Sequence, residues 1–168
     1  MGDVRVREWG AAGDLGWVVM AHGELYAAEY GWHQGFERHV LHAVAAIAEP
    51  ADPARQRGWI AELDGRRIGS VVCTPSDTGP DVAQLRLLLL HPDARGLGVG
   101  GQLVDTCLAF ATAAGYRRIR LWTTDVLTAA RALYEKRGFR EVGRAPHDGF
   151  GVPVFGLDYE RDLAGSPG

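Results

Sequence analysis

Apolar positions recur along this chain with two periods, and the switches between them outline its architecture. Val4 and Val6, followed by Trp9, read as a short first strand. From 13 to 49 the spacing turns helical and breaks near Gly31. Leu15, Val18, Val19 and Leu25 predict one helix; Phe36, Val40, Val44 and Ile47 predict a second. Two prolines at 50 and 53 end the helical stretch, because neither can donate a backbone hydrogen bond. Trp59–Leu63 and Arg67–Cys73 flank Asp64-Gly65, a pair suited to the positive φ angles of a tight hairpin turn. Another turn is predicted at Ser76–Pro80, then a long apolar strand over 82–91 that stops at His91-Pro92. Val99, Leu103, Cys107, Phe110 and Ala114 predict a helix with one buried face, closed by Gly115. Arg118–Trp122 is the next strand. A helix capped by Thr124 or Asp125 should run through Glu135 and close at Gly138. Phe139–Val142 and Val152–Tyr159 complete the pattern, with Pro146–Gly151 as a loop between them and a disordered tail at 164–168. This order of strands and helices predicts an α/β (α+β) fold, a mixed sheet flanked by helices rather than a strict βα alternation.

One segment carries a chemical message. In Leu85-Arg-Leu-Leu-Leu-Leu-His-Pro-Asp-Ala-Arg-Gly-Leu-Gly-Val-Gly-Gly, a strand runs through a glycine loop into a helix. Backbone N–H groups and the positive end of the helix can there hold a phosphate or pyrophosphate. Glycines at 96, 98 and 100 permit close backbone approach, and Arg95 adds a planar cation suited to paired phosphates. Gly96–Gly101 also fits the dinucleotide pattern G-x-G-x-x-G, and Asp125 lies at a distance suited to a ribose contact. That pattern belongs at the first βα turn, however, whereas five residues separate this strand from its first glycine. Nicotinamide dinucleotide chemistry is the weaker reading, and a plain structural turn the blandest.

Composition narrows the field. The 168 residues suit one domain, with 46% hydrophobic and 23% charged residues. Two cysteines in apolar runs make neither a disulfide scaffold nor a metal-binding pattern, which favours a cytoplasmic protein without a metal. No signal-peptide plan opens the chain, and no apolar run is long enough to span a bilayer. A net charge of −3 speaks against nucleic-acid or anionic-membrane binding and tilts the expectation toward cationic substrates.

Arg95-Gly-Leu-Gly-Val-Gly, the Leu-x-Leu-x-x-His-Pro strand end before it, and Leu133-Tyr-Glu-Lys-Arg-Gly-Phe139 together resemble the GNAT superfamily of N-acetyltransferases. Glu24–Trp32, Leu121–Leu127 and Pro146–Gly151 extend the likeness toward the acetyltransferase half of proteins that fuse a MarR-type DNA-binding domain to a GNAT domain. The likeness covers about residues 4 to 163, so residues 1–163 are expected to form a single N-acetyltransferase domain. Many relatives carry Asn where this chain has Leu127, which removes one side-chain contact to the cofactor. The resemblance implies a seven-stranded mixed sheet with a splayed central parallel pair and about four helices. It implies acetyl-CoA as cosubstrate, its pantetheine arm beside Leu88, Leu89 and Leu90, and its pyrophosphate on Arg95, Gly96, Leu97, Gly98, Val99, Gly100 and Gly101. A backbone N–H near Leu89 would receive the acetyl carbonyl. A homodimer is compatible with it.

Acetyl transfer to an amine needs a neutral amine, a stabilised oxyanion and a protonated leaving thiolate. An alkyl ammonium with pKa near 10.4 is neutral in only about one part in 10³ at pH 7, a cost of roughly 4 to 5 kcal/mol. Tyr134 falls on the family's motif tyrosine and is the expected proton donor; its other reading is an aromatic packed on Phe139. Glu29 and His147 lead the candidate bases, ahead of Glu24 and Asp125, with desolvation of the amine as an alternative to any base. Tyr26, Tyr30 and Trp32 can line an amine pocket or be plain core. The acceptor, a small molecule, amino acid or peptide, is expected over the N-terminal helices. A non-catalytic acyl-CoA sensor of the same fold is the competing function.

Overall fold

The computed structural model describes residues 2–49 and 52–163. Strands β1 (Val4–Glu8), β2 (Arg57–Leu63), β3 (Arg66–Ser76), β4 (Gly79–Leu90), β5 (Arg118–Thr124), β6 (Arg140–His147) and β7 (Val154–Asp162) form one sheet. Its order is β1-β2-β3-β4-β5-β7-β6. Every pairing is antiparallel except β4 with β5. Four α-helices accompany it: α1 (Asp14–Tyr30), α2 (Gln34–Ala48), α3 (Val99–Ala113) and α4 (Thr128–Lys136). The seven strands, the mixed sheet and the flanking helices agree with the sequence expectation.

Strand alternation divides the core. Ile60 of β2 faces α1 and α2 with Val18, Phe36, Val40 and Val44. Its neighbours Trp59 and Ala61 face α3 and α4 with Leu103, Cys107 and Tyr134. Side chains such as Leu103 and Ile60 have no exposed surface, and burying each contributes about 1.5 to 3 kcal/mol. Where α1 begins, Asp14 is buried and accepts from Arg7 of β1, from Arg67 of β3 and from the N–H groups of Gly10 and Ala11. These partners hold its carboxyl far below the usual carboxylate range, the Arg7 hydrogen bond being the strongest cause.

The central strands explain the cleft. β4 pairs with β5 only at Val82, Ala83 and Gln84 against Arg118, Ile119 and Arg120. Beyond that the two part, because β4 carries a bulge against β3. Ser70 opposes Leu89 and Val72 opposes Arg86, so three steps on β4 match two on β3. Leu87 takes a left-handed φ of 55°, unusual for leucine, and the Ser70 hydroxyl donates to its carbonyl at 2.8 Å. The extra residue bends β4 away and opens a V.

Three predicted features are corrected. Neither Thr124 nor Asp125 caps α4 with its side chain; the helix starts at Thr128 without a side-chain cap, and Asp125 instead accepts from the Phe155 N–H at 2.9 Å. β4 starts earlier than 82, at Gly79. β6 extends to His147, taking in Gly143 and Pro146. As an edge strand it tolerates a proline, whose missing N–H costs no ladder bond on the open side, and an irregularity between Glu141 and Gly143 absorbs the glycine. The expected tail at 164–168 lies outside the described residues.

Candidate active site

Two hollows of about 100 and 150 Å³ lie in the V and share the border residues Tyr26, Leu88, Leu127 and Ala130, so they are halves of one cleft. The larger half is bounded by Leu90, Arg95, Gly100 and Leu133, with Glu29 and Tyr30 of α1 opposite. At its rim the chain passes through a 3₁₀ turn at Pro92–Ala94 and enters α3. Gly98 is the N-cap with φ 74°, a left-handed conformation open to glycine, and no side chain caps the helix. The first intrahelical bond from the loop is Gln102 N–H to Gly98 carbonyl, which leaves the preceding N–H groups of the first turn unspent and able to hold an anion. Leu97 is half exposed, whereas Val99 and Leu89 turn their side chains into the core, so these positions can meet a ligand through backbone alone.

Tyr134 stands on the wall of the smaller half, 5% exposed. Its place follows from the end of α4. Gly138, at φ 84°, lets the Phe139 N–H bond the Tyr134 carbonyl and its own N–H bond the Glu135 carbonyl. The apolar contact typical of that ending is Tyr134 on Phe139, rings 5.7 Å apart. The second motif is therefore a helix stop that fixes one tyrosine at the cleft. Burial first, then Tyr26 and Cys107, push its phenol well above 10.

The remaining expected residues divide. Leu88, Leu90, Arg95 and Gly100 meet along the larger half. Glu29 also stands there, with its carboxylate paired to Arg95. His147 lies apart from both halves, its ring 4.5 Å from Phe150 and 5.3 Å from Trp122, and its Nε2 is buried without a partner among the described residues. Trp32 is buried and packed on Phe36 and Phe150, and both it and Tyr26 line the smaller half.

Sequence reasoning missed His22, His39, Arg86 and Thr124, all on the smaller half. His22 is buried, and its Nδ1–H donates to the Val18 carbonyl at 2.7 Å, since a carbonyl can only accept. Burial pushes its pKa down to about 4, so the ring is neutral near pH 7. His39 is also lowered, by burial and then by Arg86, His147 and His42. A signal for Arg86 existed: it is the one charge within a run of leucines.

The profile of the acetyltransferase (GNAT) family matches residues 20–139, which include β4, the glycine loop, α3 and Tyr134. The chain belongs to the GNAT family. Among its relatives is the mycothiol acetyltransferase of Geodermatophilus obscurus, 42% identical over 98 residues, which make up 55% of this chain and 31% of that protein. A GCN5-related N-acetyltransferase from Kribbella flavida shares the fold with a TM-score of 0.75 at 25% identity, covering 95% of this chain and 98% of that one. A Salmonella typhimurium structure described as an acetyltransferase with its cofactor acetyl-CoA superposes with a TM-score of 0.75 at 14% identity, covering 99% of this chain and 97% of that one. The chain spans between 29% and 40% of the length of the curated relatives it matches. Among the described residues no cluster of metal-ligating side chains occurs, and no helix is long and apolar enough to cross a membrane.

Proposed function

We propose that the protein is an N-acetyltransferase that moves an acetyl group from acetyl-CoA to an amine within a ternary complex. The observation that carries this reading is the splayed β4–β5 pair, with an uncapped glycine loop at its open end and a buried tyrosine on its inner wall. Arg95 and the N–H groups of residues 96–101 hold the pyrophosphate, and the exposed edge of β4 from Leu88 to Leu90 receives the pantetheine arm. A backbone N–H at the bulge near Leu89 steadies the carbonyl oxygen, a donor worth about 3 kcal/mol when aimed at developing charge. Tyr134 returns a proton to the departing sulfur. Burial raises its pKa, but the same dry cleft raises the basicity of a thiolate, so transfer between them stays feasible.

Glu29 lines the larger half rather than the smaller one and His147 lies behind Phe150, so neither is assigned the amine's proton here. The cleft lowers the ammonium pKa instead, through its desolvating aromatic walls and the positive charge of Arg86. His39, at the exposed mouth and kept neutral by the same influences, passes the proton to water. Two buried free cysteines, Cys73 and Cys107, fit a reducing cytoplasm. The test is calorimetry with acetyl-CoA followed by a thiol-release screen against amino acids, polyamines, aminoglycosides and peptides. Binding with acceptor-dependent CoA release is expected. Binding without release from any acceptor would leave an acyl-CoA sensor, and no binding would remove both readings.

A further inference from the structure

Among the described residues, Arg86 is the only formally charged one that lines the smaller half of the cleft. It is half-buried in the middle of β4, between Leu85 and Leu87, and it also borders the adjoining hollow formed with His39, Ala43, Gln84 and Trp122. Among the described residues that hollow likewise contains no Asp or Glu, while a further hollow toward the β3–β4 turn brings Asp77 to its other side. No ion pair or side-chain hydrogen bond to Arg86 occurs among the described residues. Asp77 is the acid whose field reaches it, and burial outweighs that influence. Other arginines on the sheet are spent differently: Arg7 and Arg67 on Asp14, Arg120 on Asp158. A guanidinium kept partly from water without a carboxylate is costly, so a ligand that supplies one gains by binding there.

A second unpaired group faces the same space from the opposite strand. Thr124 of β5 is fully buried, lines the cavity, and its Oγ1 has no partner among the described residues. Buried hydroxyls are nearly always bonded, so this one also points to a ligand. Around the two lie Trp32, Phe36, Trp122 and Phe150. The cavity thus offers one cation, one hydroxyl and aromatic walls, although the whole chain carries a net charge of −3.

We infer that Arg86, with Thr124 across the cleft, binds the carboxylate of the acceptor, which makes the acceptor a free amino acid with an apolar or aromatic side chain. The inference rests on the acetyl-transfer reading and gives its acceptor a chemical class. A diamine or polyamine would bring a second cation toward Arg86 and is disfavoured by like-charge repulsion. An amino acid places its carboxylate on the guanidinium fork and its amine a fixed distance away, so one contact both selects and orients the nucleophile.

The experiment compares each of the apolar and aromatic amino acids with its own carboxamide in the acetyl-CoA thiol-release assay. The pair shares side chain and amine and differs in the carboxylate. The parent should favour the best amino acid over its amide by about 10²-fold in kcat/KM, the scale of a charge-assisted pair. In Arg86→Gln that ratio should fall to within about threefold of one, with Arg86→Lys between, because lysine keeps the charge and loses the fork. Thermal melting and acetyl-CoA calorimetry on each variant separate this from misfolding. A parent that prefers amides or polyamines, or a ratio that survives in Arg86→Gln, overturns the inference. If the parent binds acetyl-CoA but releases CoA to no acceptor, the acetyl-transfer reading fails by itself. Calorimetry with N-acetyl-L-phenylalanine and its amide, in the presence of CoA, then decides about Arg86: Arg86-dependent preference for the acid supports it, and equal binding overturns it.

Discussion

The two halves of the cleft are built in opposite ways. The cofactor half has one floor of continuous chain, Leu88 to Gly101, faced by α1 and α4, and the anion-holding groups of that floor are backbone N–H groups whose direction a strand end and a helix start prescribe. The proposed acceptor half collects side chains from α1, α2, β4, β5, α4 and the segment around Phe150, spread over positions 22 to 150. The first is tolerant of side-chain identity and intolerant of backbone change. The second is the reverse, since every contact depends on which residue stands at the end of a separate element. A common donor can thus be kept while the acceptor is exchanged, because changes on one half need not disturb the other.

The sharpest way to test that division is Tyr134, which stands on the wall of the smaller half. Tyr134→Phe keeps the ring on Phe139 and removes the hydroxyl, so kcat should fall by about 10² to 10⁴-fold while acetyl-CoA affinity holds. An undiminished kcat in single-turnover kinetics would reduce Tyr134 to packing.

Next in size is the anchor at the start of α1, outside both halves. Asp14→Asn leaves Arg7 and Arg67 without their shared carboxylate and should cost about 3 kcal/mol in denaturant unfolding. Because its folded pKa is depressed, Asp14 contributes fully above its unfolded value of about 3.9 and loses that contribution as pH falls toward the folded value. The parent's excess stability over the variant should therefore shrink below about pH 4; a constant difference would place the effect elsewhere.

Gly98→Val addresses the backbone half. A branched residue at φ 74° carries strain of about 1 to 3 kcal/mol, and the loop would relax away from its anion-holding shape. Acetyl-CoA should bind roughly ten- to a hundredfold more weakly, with the melting temperature little changed if the strain is relieved locally. Parent-like affinity would move the pyrophosphate off this loop.

The smallest effect concerns the bulge that separates the halves. Ser70→Ala removes the hydroxyl that satisfies the Leu87 carbonyl and should cost about 1 kcal/mol. If the bulge shapes the V, KM for acetyl-CoA should rise severalfold as well. A stability loss with an unaltered KM would mean that β4 holds its bend without Ser70.

Much was readable because it was local. Asp64 and Gly65, both at positive φ, form the predicted hairpin turn, and Gly115 and Gly138 end α3 and α4 where glycine was expected to. The misreadings were local signals overruled by partners from elsewhere. Asp125 has the chemistry of a cap, yet its carboxylate holds the Phe155 N–H of β7. Pro146 has the look of a loop, yet it sits in an edge strand whose outer side requires no donor. The pairing of Glu29 with Arg95, 66 residues away, is likewise a contact that no local signal announces.

By itself, then, the sequence determined the order of elements, the family and the backbone cradle of the glycine loop. Each of these depends on spacing, glycine and proline within a short stretch of chain. Only the tertiary structure decided how β4 bends and which side chains face the acceptor. The bend depends on Ser70 meeting Leu87 across two strands, and the acceptor half on His22, His39, Arg86 and Thr124 converging from four elements. Side-chain chemistry at a distance is set by packing, and no periodicity along the chain encodes which distant residue will be the neighbour.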